Sequence, residues 1–292
     1  MEKPRFANEK RIESLATEEK CGQYRTVYYE SYGCTANRSD TEIMLAILGR
    51  SGYREVSDPR AASVLLINTC AVKKTTEDRM LERLSRLGSY RKPIMIAGCL
   101  PRIDLSGINA VIPQYSVILD PCSVNKVHEA AEESLQGNRR VVKFTELPRD
   151  KTTLPRRRLN HYIGIVPISE GCLVACAYCC TRFSRGRLFC YSPKGILNQV
   201  RKSVAEGAVE IQITAQDTAS YHVDGLGLAD TLRDVVNVEG DFKVQVGMMN
   251  PDQTRKIMED LVEVYQDPKI YKFLHLPVQS GSDTILESMN RR

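Results

Sequence analysis

The chain has 292 residues, of which 42% are hydrophobic and 26% charged, with a formal net charge of +5. These ordinary globular values exclude a disordered or fibrous chain and give length for two domains, each with its own core. No apolar run approaches the roughly 20 residues of a membrane span, so no membrane association is expected. The charged start, residues 1–22, has no apolar stretch of secretory type and reads as a flexible, solvated tail.

In chain order, residues 27–31 (Val-Tyr-Tyr-Glu-Ser) form the first expected strand, ending at Tyr32-Gly33-Cys34. Asn37 or Ser39 is placed to cap an amphipathic helix over 42–49, with Gly52 as its stop signal. Residues 64–67 (Val-Leu-Leu-Ile) are a buried-strand run ending at Asn68-Thr69-Cys70. Met80, Leu81, Leu84 and Leu87 at helical spacing predict a helix over 75–87, closed by Gly88. A third strand over 94–97 ends at Gly98-Cys99-Leu100-Pro101. Strands alternating with helices imply a parallel sheet covered on both faces.

Cys34, Cys70 and Cys99 thus each follow a separate strand at its C-terminal end, where open parallel sheets bind their ligands. Thiols so placed can converge on one point and hold an iron–sulfur cluster. The plain alternative, buried core cysteines, asks for coincidence at successive strand ends.

A helix over 124–135 ends at Gln136-Gly137, which closes an N-terminal domain of residues 23–137. Residues 138–160 are polar, basic and proline-containing, and read as a linker. Within it, Arg156-Arg157-Arg158 is either a solvated charge run or a contact for a polyanion such as RNA.

The second domain, residues 161–292, resumes the alternation of strand and helix. Strands are expected over 163–168, 210–214, 242–246 and 273–276, and helices over 193–206, 228–236 and 253–264, with another from Ser282-Asp283. That makes four βα units, half of a full barrel. Asn250-Pro251 reads as a strand-ending turn.

After the first of these strands comes Gly171-Cys172-Leu-Val-Ala-Cys176-Ala-Tyr178-Cys179, with cysteines at C-x3-C-x2-C spacing. Soft thiolates favour iron–sulfur clusters or zinc. A loop of this length can wrap its thiolates around a cubane and leave one iron open to bind a small molecule. A zinc knuckle needs a fourth ligand, and Cys180 could supply it only from the position next to Cys179. Ten cysteines without a secretion signal argue for metal ligation in a reducing compartment, so a cytoplasmic location is expected. Cys21, Cys122, Cys180 and Cys190 have no partners at ligand spacing and read as non-ligands.

Taken together, these stretches resemble a known family. Residues 161–292 look like a radical S-adenosylmethionine (SAM) enzyme, and most of the chain resembles the tRNA methylthiotransferases of archaeal and eukaryotic type. The resemblance is carried by Glu30-Ser-Tyr-Gly-Cys34-Thr-Ala-Asn37, Asn68-Thr-Cys70-Ala-Val-Lys73, Ala97-Gly-Cys99-Leu-Pro101 and Gly171 to Cys179. It continues through Thr181-Arg-Phe-Ser-Arg-Gly186, Gln212-Ile-Thr-Ala-Gln216-Asp217-Thr218, Gly247-Met-Met-Asn-Pro251 and Phe273 to Ser282.

The fold it implies is α/β, an N-terminal Rossmann-like parallel-sheet domain followed by a partial (βα) barrel of the radical SAM type. It implies two 4Fe-4S clusters as cofactors, one on Cys172, Cys176 and Cys179 that chelates SAM and one on Cys34, Cys70 and Cys99 that carries sulfur. The implied reaction adds a methylthio group to carbon 2 of N6-threonylcarbamoyladenosine, 3′ of the tRNA anticodon. That carbon is an unactivated C–H centre, for which cofactor-borne radical chemistry is the appropriate tool. The implied partners are tRNA and an electron donor of ferredoxin or flavodoxin type, with the enzyme a monomer.

By the same resemblance Tyr178, Gln216, Asp217 and Gln279 are expected around SAM or the substrate; the alternative for each is a loop residue satisfying local backbone groups. Arg182 and Arg185 are expected at the SAM carboxylate, at RNA phosphate or in solvent. His161, His222 and His275 read as packing or surface residues.

There are two departures. Gln245 stands where the family carries an arginine, and family members continue beyond Met289-Asn290-Arg291-Arg292 with more barrel units and an RNA-binding TRAM module. A fragment or truncated product is therefore expected, with weak affinity for tRNA. The rival readings are a methylthiotransferase for isopentenyladenosine or a ribosomal-protein aspartate, and a zinc-stabilised RNA-binding module without catalysis.

Overall fold

The computed structural model describes residues 25–291. The expected tail and Cys21 lie outside the described residues.

The first domain is built on a six-stranded parallel sheet in the order β2-β1-β3-β4-β5-β6. Its strands are β1 (Thr26–Ser31), β2 (Arg54–Glu55), β3 (Val64–Thr69), β4 (Ile94–Gly98), β5 (Val117–Leu119) and β6 (Val141–Lys143). Between them run α1 (Thr35–Arg50), α2 (Lys74–Gly88), α3 (Leu100–Ile103), α4 (Leu105–Val111) and α5 (Val127–Leu135). β3 lies centrally, and every one of its residues is buried. Its side chains alternate between two cores, because successive residues of a strand point to opposite faces. Val64 and Leu66 pack with Ile43, Met44 and Leu48 of α1, while Leu65 and Ile67 pack with Leu84 and Leu87 of α2. Each such fully buried aliphatic contributes about 1.5–3 kcal/mol.

The second domain holds a three-stranded parallel sheet in the order β13-β10-β7, with β7 at Ile163–Pro167, β10 at Glu210–Thr214 and β13 at Lys243–Val246. Two small antiparallel ribbons flank it: β8 (Ser169–Glu170) with β9 (Phe189–Cys190), and β11 (His222–Val223) with β12 (Leu226–Gly227). The helices are α6 (Thr181–Arg185), α7 (Pro193–Ala205), α8 (Leu228–Val236), α9 (Pro251–Lys256), α10 (Met258–Val264) and α11 (Asp283–Ser288). The expected α/β class, with a parallel sheet in each half, is the one observed.

Four local expectations are corrected. Helix α1 begins at Thr35, directly after Cys34, and carries Asn37 and Ser39 inside it rather than at its cap. Asn37 does not serve as a cap because its side-chain oxygen, the atom a cap would use, accepts from Arg185 and the Cys99 thiol instead of a helix N–H. The expected helix over 253–264 is interrupted at Ile257, which separates α9 from α10.

Residues 273–276 are not a strand. The chain leaves the sheet after the bridge between Val244 and Ile270, and Phe273 N donates to Tyr271 O at 2.7 Å. This i to i+2 turn swings the chain away from β13.

Residues 138–160 are more than a linker. Val141–Lys143 pairs with β5 as the edge strand of the first sheet. Lys151 is buried between carboxylates of both domains, Asp40 at 2.8 Å and Glu170 at 2.9 Å. The arginine triplet is engaged as well, Arg156 with Glu42, Arg157 with Glu55, and Arg158 with the carbonyl of His161. Of these charges Lys151 joins acidic residues of both domains, whereas Arg156 and Arg157 pair with the first domain and Arg157 stays half exposed.

Candidate functional site

β1, β3 and β4 are neighbours in register, so their C-terminal ends lie side by side. Cys34 follows β1 as the residue preceding α1, Cys70 follows β3, and Cys99 follows β4 at the start of α3. Two glycines make this convergence possible. Gly33 has φ +100°, and a Cβ there would lie 2.6 Å from Cys70 Cβ and 2.8 Å from its sulfur. Gly98 has φ +98°, and its Cβ would lie 2.3 Å from the Thr69 carbonyl oxygen. Only glycine suits such a left-handed, crowded backbone.

Asn37 then ties the strand ends together. Its nitrogen donates to Tyr32 O at 3.0 Å and Thr69 O at 2.8 Å, and its oxygen accepts from the Cys99 thiol at 3.6 Å. Burial pushes the Cys99 thiol up; the nearby Arg185 guanidinium opposes this, and Cys34 and Cys70 add to it. The Cys34, Cys70 and Cys99 thiols thus gather at the adjoining ends of β1, β3 and β4.

The C-terminal set sits on the loop between β8 and α6. A turn from Cys179 N to Cys176 O at 3.1 Å shapes the loop, and contacts from residues near 290 hold it down. These are Ala177 N to Met289 O at 2.9 Å and Asn290 Nδ2 to Ala175 O at 2.8 Å. Burial pushes the Cys172 thiol up, and neighbouring Asp217, Cys179 and Cys176 push it further. Cys180 is turned away, its thiol donating to the carbonyl of Ala71 in the first domain at 3.0 Å. The loop thus offers three soft thiolates and withholds the fourth, the donor set of a cubane with one open iron and not that of a closed zinc site. Among the described residues no three His, Cys, Asp or Glu side chains gather tightly enough for a single metal ion. Cubane ligands sit on separate irons and need only ring the cluster.

A cavity of about 330 Å³ lies between the two domains. Cys34 and Cys99 line one side, and Gln212, Thr214, Gln216 and Gln245 of the second domain line another. Gln212 and Gln245 are partners in register on adjacent strands. A cleft of about 560 Å³ between α7 and α8 carries no cysteine and borders neither set.

The residues expected around SAM fall in different places. Gln216 lines the cavity and accepts from Gly171 N at 2.7 Å, which links it to the cysteine loop. Asp217 is buried and uses its carboxylate on its own loop, accepting from Asn250 N at 2.9 Å, Ala219 N at 3.2 Å and the Ser220 hydroxyl. It therefore shapes the loop, with Oδ1 accepting twice and Oδ2 once, and does not line the cavity. Tyr178 is half exposed, and its hydroxyl accepts from Arg291 at 2.9 Å. Gln279 is at the centre of a tight turn with φ +70° and does not line the cavity. Arg185, expected at a SAM carboxylate, RNA or solvent, borders the cavity but is nearly buried, with its guanidinium bonded to Glu170, Asp40 and Asn37.

Sequence reasoning missed Asn37, Asp40, Lys151 and Glu170, whose pairing spans both domains. The only local signal was polar residues at positions on α1 that prove fully buried.

Residues 26–120 match the model of "Uncharacterized protein family UPF0004", and residues 166–292, with the cysteine loop, match that of the "Radical SAM superfamily". Residues 166–292 thus carry a radical SAM domain. A 4Fe-4S cluster and SAM are the cofactors that such a domain implies.

The chain is 42% identical to the "Probable threonylcarbamoyladenosine tRNA methylthiotransferase" of Pyrococcus abyssi, over 91% of this chain and 62% of that protein. It is 35% identical to the "Threonylcarbamoyladenosine tRNA methylthiotransferase" of Drosophila melanogaster, over 91% of this chain and 49% of that one. The chain thus spans between about half and three-fifths of these relatives. Among solved structures, the radical SAM methyltransferase TsrM from Kitasatospora setae superposes with a TM-score of 0.64 at 11% identity, covering 92% of this chain and 63% of that one. That likeness is one of fold.

Proposed function

We propose that this radical SAM protein transfers a methylthio group to carbon 2 of N6-threonylcarbamoyladenosine in tRNA. The names of its relatives support the substrate. The observation that carries the reading is the contact of Cys180 with Ala71 at 3.0 Å. Cys180 adjoins Cys179 and Ala71 adjoins Cys70, so the two cysteine sets meet where the domains meet.

In this reading Cys172, Cys176 and Cys179 hold the SAM-binding 4Fe-4S cluster, and Cys34, Cys70 and Cys99 hold a second one. The bound cofactors supply radical chemistry, able to replace the hydrogen of an unactivated carbon. The chain's own residues provide the setting for it. Gln216 ties the cysteine loop to the floor of the cavity through Gly171. Gln212 and Gln245, side by side on β10 and β13, present amide groups to whatever enters, in place of a fixed charge. Met248 and Phe273 line the cavity and offer apolar contact to an adenine face. Electrons come from a one-electron donor of ferredoxin or flavodoxin type, and the protein acts as a cytoplasmic monomer.

The test is anaerobic incubation of reconstituted protein with SAM, a reductant and tRNA containing threonylcarbamoyladenosine, followed by mass spectrometry of the nucleosides. The methylthio derivative of that nucleoside is the expected product. Modification of isopentenyladenosine in its place, or SAM cleavage without any modified nucleoside, would contradict the assignment.

A further inference from the structure

Arg185 is the last residue of α6, the helix that follows the C-terminal cysteine loop, and it is 3% exposed. One of its terminal nitrogens donates to Glu170 Oε1 at 2.6 Å. The other donates to Asp40 Oδ2 at 2.8 Å and to Asn37 Oδ1 at 2.6 Å. Lys151 bridges the same carboxylates, so two cations face two anions and the buried cluster is balanced in charge. Arg185 does one thing that Lys151 does not. It reaches Asn37, the amide that holds the carbonyl before Cys70 and touches the Cys99 thiol.

We propose that Arg185 is a positioning residue for the N-terminal cysteine site, supplied by the other domain and acting through Asn37. The guanidinium fork fixes the Asn37 oxygen, which leaves the Asn37 nitrogen aimed at the carbonyls of Tyr32 and Thr69. The ends of β1 and β3, with the Cys99 thiol after β4 on the same Asn37 oxygen, are thereby locked at one spacing only when the second domain is docked. An ammonium in place of the guanidinium keeps the charge but is a compact point without that planar fork, so Arg185→Lys is not conservative here. The geometry makes the N-terminal site a property of the docked pair of domains.

The inference rests on the reading that Cys34, Cys70 and Cys99 hold a cluster, and the experiment separates the two. The parent is the full chain with Cys172, Cys176 and Cys179 changed to Ala, which leaves the N-terminal site alone. It should hold about four irons after anaerobic reconstitution. A parent without iron would overturn the cluster reading, and this inference with it.

Given a loaded parent, electron paramagnetic resonance of the reduced cluster is compared across Arg185→Lys, Asn37→Ala, their combination and Lys151→Met. The first two should each shift the g-values, and the combination should shift them no further than the larger single change. Lys151→Met should lower Tm and leave the spectrum as it was. Unchanged g-values in Arg185→Lys, or an equal shift in Lys151→Met, would overturn the proposal. Should Arg185→Lys not fold, Asn37→Ala decides alone, since it keeps every ion pair; a parental spectrum there would overturn the proposal as well.

Discussion

The Cys180 thiol donates to the backbone carbonyl of Ala71 at 3.0 Å, so a residue beside one cysteine set touches a residue beside the other. A sulfur held in this way faces the first domain and not the cubane space of its own loop. Cys180→Ala should therefore leave the iron content of the reconstituted protein unchanged, measured by iron and sulfide analysis. Loss of iron in that variant would make Cys180 a ligand.

The buried cluster of Asp40, Lys151, Glu170 and Arg185 makes stability depend on acid. Burial alone would push the Asp40 carboxyl up, but attraction to Lys151 and Arg185 outweighs it and holds the group below its ordinary value. A depressed folded-state pKa means stability that is fully present above the unfolded value of about 4 and lost as pH falls through the folded one. Denaturant titrations should show this acid loss, and Asp40→Asn should flatten it. Removing one partner of such a buried network costs about 3–5 kcal/mol, so Asp40→Ala should be strongly destabilised at pH 7. An acid limb in Asp40→Asn as steep as in the wild type would contradict the assignment.

Gly98 and Gly137 both have positive φ, +98° and +89°, but differ in what surrounds them. A Cβ at Gly98 meets the Thr69 carbonyl oxygen at 2.3 Å, whereas one at Gly137 meets nothing within 4 Å. Gly137→Ala should cost only the backbone strain, about 1 kcal/mol. Gly98→Ala should cost more, about 3 kcal/mol or above, and should also impair iron loading at Cys70 and Cys99. Equal losses of Tm in the two variants would show that the close approach at Gly98 carries no weight.

Much of this arrangement was legible in sequence because its signals are local. A run of strand-forming residues and an apolar run, each followed by Gly-Cys, mark the ends of β1 and β4, and the close cysteine spacing marks the loop after β8. What was not legible depends on partners far along the chain. Lys151 and Asp40 are 111 residues apart, so the basic segment looked solvated when it is in part a clamp. Asn37 looked like a helix cap because its cross-strand partner, Thr69, lies 32 residues on. Residues 273–276 have strand composition, but the tight turn at Tyr271 and Phe273, a matter of backbone geometry, takes them off the sheet. Asp217 stands at a strand end as a ligand residue would, and only the Asn250 amide, 33 residues away, reveals that it is already bonded.

The central claim is that cysteine sets from two domains each hold a cluster where those domains meet. Iron and sulfide analysis of anaerobically reconstituted protein tests it most directly. The wild type should carry about eight irons, and changing Cys172, Cys176 and Cys179 to Ala should leave about four. Changing Cys34, Cys70 and Cys99 to Ala should independently leave the other four or so. A full iron load in either triple variant, or zinc in place of iron, would contradict the account.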